Sequence, residues 1–196
     1  MSGEARAGLL LAPGASAGRD QPALVAMDDA LASEGVAVER MDFPYRRAGR
    51  RSPDRPEVLV AAVREEAARL AERSGLTPER ILLGGRSMGG RMCSIVAAEG
   101  LACLGLVLVS YPLHPPGKPE RQRTEHFPAL DVPCLFVSGS RDAFATPAEL
   151  EAATAAIPGP VALVVLDGGD HGLRGKDAAV AEVVRDWVVS AAGDSS

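Results

Sequence analysis

Cysteine, histidine and aromatic residues are all scarce in this chain. Three cysteines, Cys93, Cys103 and Cys134, are spread over 196 residues. They are too few and too widely spaced for a disulfide framework, a zinc knuckle or a redox pair. Each lies in an apolar stretch, so three buried thiols are expected. Only three histidines occur, His114, His126 and His171, which argues against a histidine-rich metal centre, and no cofactor motif is read. Positive charge is not in excess: 21 Lys and Arg stand against 26 Asp and Glu, a net charge of −5. The basic face that supplies non-specific nucleic-acid affinity is therefore missing. No apolar run approaches the ~20 residues that span a bilayer. Leu9-Leu10-Leu11 followed by Ala15-Ser16-Ala17 imitates a leader and its cleavage site, but its apolar core is about four residues against the usual ~7–15. It reads as a short buried strand, and the expectation is a cytoplasmic protein.

What is present is apolar and regular. At 46% hydrophobic residues, the chain can bury a core, and its length predicts one domain over 1–196. Strand-length apolar runs, Leu9 to Ala12, Val36 to Phe43, Ile81 to Leu83, Leu104 to Val109, Cys134 to Val137 and Val161 to Leu166, alternate with helix-period segments. Helices are expected over Pro22 to Ser33, from the cap Ser52-Pro53 through Leu59, Val63, Ala67 and Leu70, and over Met88 to Ala98. Arg64, Glu65, Glu66 and Arg69 mark the wet face of the second. Thr146-Pro147-Ala148-Glu149 is a capping box, and Val180, Val183, Val184 and Trp187 stripe the closing helix. Near-continuous apolar strands separated by amphipathic helices predict an α/β fold, a mostly parallel sheet of about six strands covered on both faces.

Sites in such sheets form at strand carboxyl ends. After Ile81-Leu82-Leu83 comes Gly84-Gly85-Arg86-Ser87-Met88-Gly89-Gly90, and Gly85 to Gly89 fits the nucleophile elbow G-x-S-x-G. A serine on a sharp strand-to-helix turn takes strained dihedrals with backbone crowded against it, and glycine relieves the crowding. Gly14-Ala15-Ser16-Ala17-Gly18 fits the same pattern, but loop rather than helix follows Ser16. Ser87 is therefore the candidate nucleophile, and its plainer role is a helix N-cap.

A serine hydroxyl needs a base, and the base needs an acid to orient it. His171 lies just past the last strand and Asp142 just past Phe136-Val137-Ser138-Gly139-Ser140. The chain order Ser, Asp, His is that of α/β-hydrolases. Asp167 and Asp170 are the runner-up acids. Oxyanion donors are expected from the backbone N–H of Met88 and from the loop after the first strand, with Ala15 the best candidate.

Gly14-Ala15-Ser16, Gly84-Gly85-Arg86-Ser87-Met88-Gly89, Ser110-Tyr111-Pro112-Leu113-His114-Pro115, Phe136-Val137-Ser138-Gly139-Ser140 and Asp170-His171 together resemble the KANL/TEX-type α/β-hydrolase-like family, related to dienelactone hydrolases. The resemblance runs from about Leu9 to Trp187. It implies a minimal α/β-hydrolase fold without a large lid domain, hydrolysis of an ester or related acyl bond, and Ser87, Asp142 and His171 as the triad. Related sequences place histidine before the glycine of the oxyanion loop, where this chain has Pro13. The expected partner is a small-molecule acyl substrate, with no nucleic acid and no membrane, and the chain is expected as a monomer or homodimer.

Arg46, Arg47, Arg50, Arg51 and Arg55 crowd one loop on the expected active face, with Asp54 the only acid among them. The favoured reading is a solvated loop, against a site for an anion. Tyr111 to Phe127 is expected to form one wall of the pocket. The alternatives are a non-catalytic interaction protein that keeps the hydrolase scaffold, and a short-chain dehydrogenase. The latter is opposed by Asp20 where a third glycine is needed and by the absence of a Tyr-x-x-x-Lys pair.

Overall fold

Successive side chains of a strand point to opposite sides of its sheet, so a strand apolar at every position must be covered twice. In the computed structural model, which describes residues 5–193, the four inner of six strands are buried nearly throughout, as this rule requires. The six are β1 (Ala7–Ala12), β2 (Val36–Arg40), β3 (Ile81–Arg86), β4 (Gly105–Val109), β5 (Cys134–Gly139) and β6 (Val161–Leu166). Every pairing is parallel, in the order β2-β1-β3-β4-β5-β6. The helices are α1 (Pro22–Leu31), α2 (Pro44–Arg47), α3 (Pro56–Ser74), α4 (Met88–Ala98), α5 (Pro147–Thr154) and α6 (Asp177–Gly193).

The alternation divides the core in two. Leu10, Leu83, Leu106, Leu108 and Phe136 face α3 and α4, meeting Leu59, Val63, Leu70, Met92 and Val96. Leu9, Leu11, Leu82, Val107, Val109 and Val137 face α1 and α6, meeting Leu24, Met27, Leu31, Val180, Val184 and Val188. Chain order reverses between β1 and β3, so the loops leaving these two strands open a crevice at their carboxyl ends. β2 and β6 are the edge strands, and on β6 Val161 and Val165 are 37% and 39% exposed.

The expected strands and the helix over Met88 to Ala98 stand where the periodicity puts them, and the reciprocal bonds between Thr146 and Glu149 form the capping box. Four expectations are corrected. The second strand stops at Arg40 rather than Phe43, because Met41 and Phe43 tuck into the core and Pro44 starts the short α2. The long helix begins at Pro56, with Arg55 as its N-cap, and Ser52 lies in a bend. Proline at the first turn does set the start, one proline later than expected. Glu66 is not on the wet face: it is 9% exposed and accepts from Arg47 and Arg69. Of the three thiols, Cys93 and Cys134 are buried but Cys103 is only half-buried. Burial pushes the Cys103 thiol up to about 11 and that of Cys134 to about 12, so neither is a nucleophile near neutrality.

Thr146→Ala removes the side-chain half of the capping box and is expected to lower stability by about 1 kcal/mol, read as a fall in the urea midpoint with an unchanged slope.

Candidate active site

β3 ends at Arg86 and α4 starts at Met88, leaving Ser87 alone to make the turn, at φ 51 and ψ −118. A non-glycine residue in this region costs about 1–3 kcal/mol and needs surroundings that enforce it. One enforcing contact is the Ser87 N–H, which donates to the Val109 carbonyl at 2.8 Å. Another is steric. A Cβ at Gly85 (φ 156) or at Gly89 would collide with the Ala12 carbonyl at the end of β1. Glycine at both positions lets the turn press against β1, which brings the loop of Pro13 to Ser16 beside Ser87.

The hydroxyl that this turn lifts meets an imidazole. Ser87 Oγ lies 2.9 Å from His171 Nε2. His171 Nδ1 lies 2.9 Å from both Asp142 Oδ1 and Oδ2. A carboxylate facing Nδ1 holds the proton there and leaves the Nε2 lone pair toward the hydroxyl. The Asp142 side chain is fully buried and also accepts the Phe144 N–H at 2.8 Å. The Phe144 ring stacks on the imidazole, with centroids 4.0 Å apart and planes 28° from parallel. From the other side, the Arg86 guanidinium donates to the main-chain carbonyl of His171. Neither runner-up acid bonds the ring: Asp167 accepts from Ser140, and the Asp170 carbonyl accepts from the Leu173 N–H.

The loop after β1 is held from within. The Gly14 N–H donates to Gln21 Oε1 at 3.1 Å, the Ala17 N–H donates to the Gly14 carbonyl at 3.1 Å, and the Tyr45 hydroxyl donates to the Ala15 carbonyl at 2.7 Å. The amides of Ala15, Ser16 and Met88 have no acceptor among the described residues. Ser16 is exposed in this loop and sits on no strand-to-helix turn. Tyr45, which fixes the loop from beneath, carries no sequence signal beyond being aromatic.

These groups open onto a cleft of about 430 Å³ whose floor holds Ser87, Met88 and His171 and whose rim includes Ala15, Pro112 and Phe144. The Tyr111 to Phe127 segment does form a wall, through Pro112 and Arg123, and the Tyr111 hydroxyl donates to the Arg123 carbonyl at 2.7 Å. The arginine-rich loop is elsewhere. Arg47 is held by Glu66 and the Asp42 carbonyl, Arg50 pairs with Asp54 at 2.7 Å, and Arg46 lines a separate depression with Asp20 and Asp42. The cleft has its own arginines, Arg86, Arg91 and Arg123. Arg91 stands one helical turn beyond Ser87, a spacing that shares a helix face and could have been read. Arg123 reaches the cleft only because its loop folds back.

His114 is held by Glu149 and the Pro115 carbonyl, and His126 Nε2 lies 2.8 Å from Ser94 Oγ. Among the described residues, no three His, Cys, Asp or Glu side chains group as metal ligands, and no helix is long and apolar enough to cross a membrane.

A family model for the alpha/beta hydrolase domain matches residues 5–191, and the chain belongs to that family. Solved structures share the fold at low identity. An alpha-beta serine hydrolase homologue from Coxiella burnetii superposes with a TM-score of 0.76 at 19% identity, covering 93% of this chain and 85% of its own. The esterase domain of a Rhodothermus marinus protein gives 0.72 at 20% identity, covering 96% and 88%. Dienelactone hydrolase from Anabaena variabilis gives 0.74 at 20% identity, covering 94% and 86%.

Gly89→Ala drives a methyl into the Ala12 and Pro13 carbonyls. The expected loss is about 1–3 kcal/mol of stability, seen as a lowered denaturant midpoint. Burial, and then the nearby Arg91 charge, depress His126 from its ordinary 6.5 to about 4. Between those values the unfolded chain binds the extra proton, so this stabilising contribution is complete above pH 6.5 and is lost as pH falls toward 4. His126→Gln should flatten the stability-against-pH curve across that window, measured by denaturant titration at each pH.

Proposed function

We propose that this protein is a serine hydrolase that cleaves an ester or related acyl bond through an acyl-enzyme on Ser87. The observation that carries the reading is the continuous hydrogen-bonded line from Ser87 Oγ through the His171 ring to Asp142, with 2.9 Å at each step. Its opening onto the cleft beside unengaged amides supports the same reading.

In the proposed reaction, His171 Nε2 takes the Ser87 proton as Oγ attacks the acyl carbon, and Asp142 stabilises the imidazolium that forms. The carbonyl oxygen, now an oxyanion, accepts from the N–H groups of Met88 and Ala15, each worth about 3–4 kcal/mol of barrier. Met88 also sits at the positive end of α4. Imidazolium returns its proton to the departing alcohol, and a water activated by the same ring then frees the acid and restores Ser87. Arg86 and Phe144 are positioning residues, holding the His171 loop and ring. Tyr45 positions the Ala15 peptide, and Pro13 leaves that backbone donor in place because a side chain is not what donates.

The esterase domain and dienelactone hydrolase that share the fold favour carbon esters as the substrate class. We take residues 1–196 as one hydrolase unit of the KANL/TEX type, a cytoplasmic monomer or homodimer. The three unpaired thiols fit a reducing compartment.

The test is active-site labelling. A fluorophosphonate probe should modify Ser87 in the wild-type protein, and Ser87→Ala should abolish the label. His171→Ala should depress both labelling and turnover of short acyl esters by about three orders of magnitude or more. A folded protein that neither labels nor hydrolyses any ester overturns the enzyme reading and leaves a scaffold that binds without turnover.

A further inference from the structure

Two of the cleft's three arginines are not spoken for by the protein. Arg86 is committed to the His171 carbonyl and sits in the field of Asp142, Asp170 and Asp177. The Arg91 guanidinium, on α4, makes no hydrogen bond or ion pair among the described residues, and its Nε is buried without any partner. Arg123 donates from one nitrogen to the Pro112 carbonyl at 3.2 Å and makes no ion pair among the described residues. Its backbone is tied down at both polar atoms, N–H to the Leu113 carbonyl at 2.8 Å and carbonyl from the Tyr111 hydroxyl at 2.7 Å. The second guanidinium is therefore held in place.

The two charges act on each other. Burial and then Arg91 hold Arg123 below the ordinary arginine range, and Arg91 likewise opposes protonation of His126 behind the wall. No carboxylate side chain lines the cleft to offset them. The exposed Glu125 acts on Arg123 more weakly than the repulsion from Arg91 and Arg121. Two half-buried cations kept together without a counter-charge are destabilising. The arrangement becomes favourable when an oxyanion sits between them, because guanidinium–carboxylate hydrogen bonds are short, charge-assisted and strengthened by partial burial.

We propose that the cleft selects substrates carrying a second, ionised oxyanion group, a carboxylate in the simplest case, which Arg91 and Arg123 bind while the ester carbonyl faces Ser87. The proposal rests on the hydrolase reading for its chemistry and narrows that reading to anionic esters. Arg91 lies four residues beyond Ser87 along α4, about 6 Å of helix rise. Both residues line the same cleft, so a compact substrate that spans them, a half-ester of a short dicarboxylic acid, suits it.

The experiment compares monoethyl glutarate with its uncharged isostere, ethyl 4-carbamoylbutanoate, by pH-stat at pH 7.5. The wild-type protein should favour the acid in kcat/KM by about tenfold or more, as expected for one charge-assisted contact. Added salt should shrink the ratio. The ratio should fall toward unity in Arg91→Gln and in Arg123→Gln, and Arg91→Lys should keep part of it. Because the readout is a ratio between two esters on one protein, a general loss of folding or activity cancels. A wild-type ratio of one or below, or a ratio unchanged in both Gln variants, overturns the proposal. If neither ester is turned over, fluorophosphonate labelling of Ser87 decides the hydrolase reading separately, and calorimetric titration of Ser87→Ala with glutarate and with glutaramide decides the anion site alone. Glutarate binding that disappears in the Ser87→Ala, Arg91→Gln double variant supports it, and equal or absent binding of the two overturns it. Inorganic phosphate, titrated in parallel, supports the same site as a general oxyanion cradle where it competes with glutarate. Where it does not compete, the site is specific for carboxylate.

Discussion

The end of β1 and the turn after β3 approach closer than any side chain would allow, and the rest of the site follows from that contact. The Ala12 carbonyl occupies the space that a methyl on Gly85 or Gly89 would need. With that space empty, Ser87 is forced into a left-handed φ, its hydroxyl rises above the sheet, and the first helical amide of α4 comes beside it. The loop of Pro13 to Ser16 is carried in by the same strand. A raised serine hydroxyl and two sets of backbone N–H groups are thus assembled by one steric constraint rather than by separate attractive contacts, which is why the local sequence is so rich in glycine.

Electrostatics is arranged around this contact with a division of labour. Asp142 is fully buried, yet its carboxylate is accounted for by the His171 ring and the Phe144 N–H. Outside the cleft, the exposed Arg47 pairs with the buried Glu66. Arg40, Arg64 and Arg73 likewise each face a carboxylate. Arg91 and Arg123 break that pattern, and unmatched charge in a concave site is characteristic of groups held ready for something that arrives from outside.

Much of the fold was legible because two periods were clean. The strands are apolar on both faces and the helices on one, and alternating these two patterns leaves few topologies for a parallel sheet. The Ser87, Asp142 and His171 positions were legible because each follows a strand. What escaped depends on how separate segments fold over one another. Glu66 occupies a position that charge alone assigns to solvent, and only the return of α2 onto α3 encloses it with Arg47. The cap signal at Ser52-Pro53 misplaced the helix start: Pro56 meets the same preference for proline in the first turn, with Arg55 capping without its side chain. Tyr45 braces a loop 30 residues away, and Arg123 enters the cleft from a segment with no periodic structure. The crowd of arginines at 46–55 drew notice because it is dense in sequence, while the pair that faces the reaction centre is 32 residues apart along the chain.

Ser87 and His171 hang from strands of unequal standing. The serine leaves β3, flanked on both sides, whereas the histidine leaves β6, which has a neighbour on one side only. Edge strands fray at lower free energy than central ones, so warming loosens the support of His171 before it melts the core that holds Ser87. The grip of the Arg86 guanidinium on the His171 carbonyl is a cross-tie from the middle of the sheet to its margin. That tie and the Phe144 stack hold the His171 ring against Ser87, while the two apolar layers hold the sheet itself.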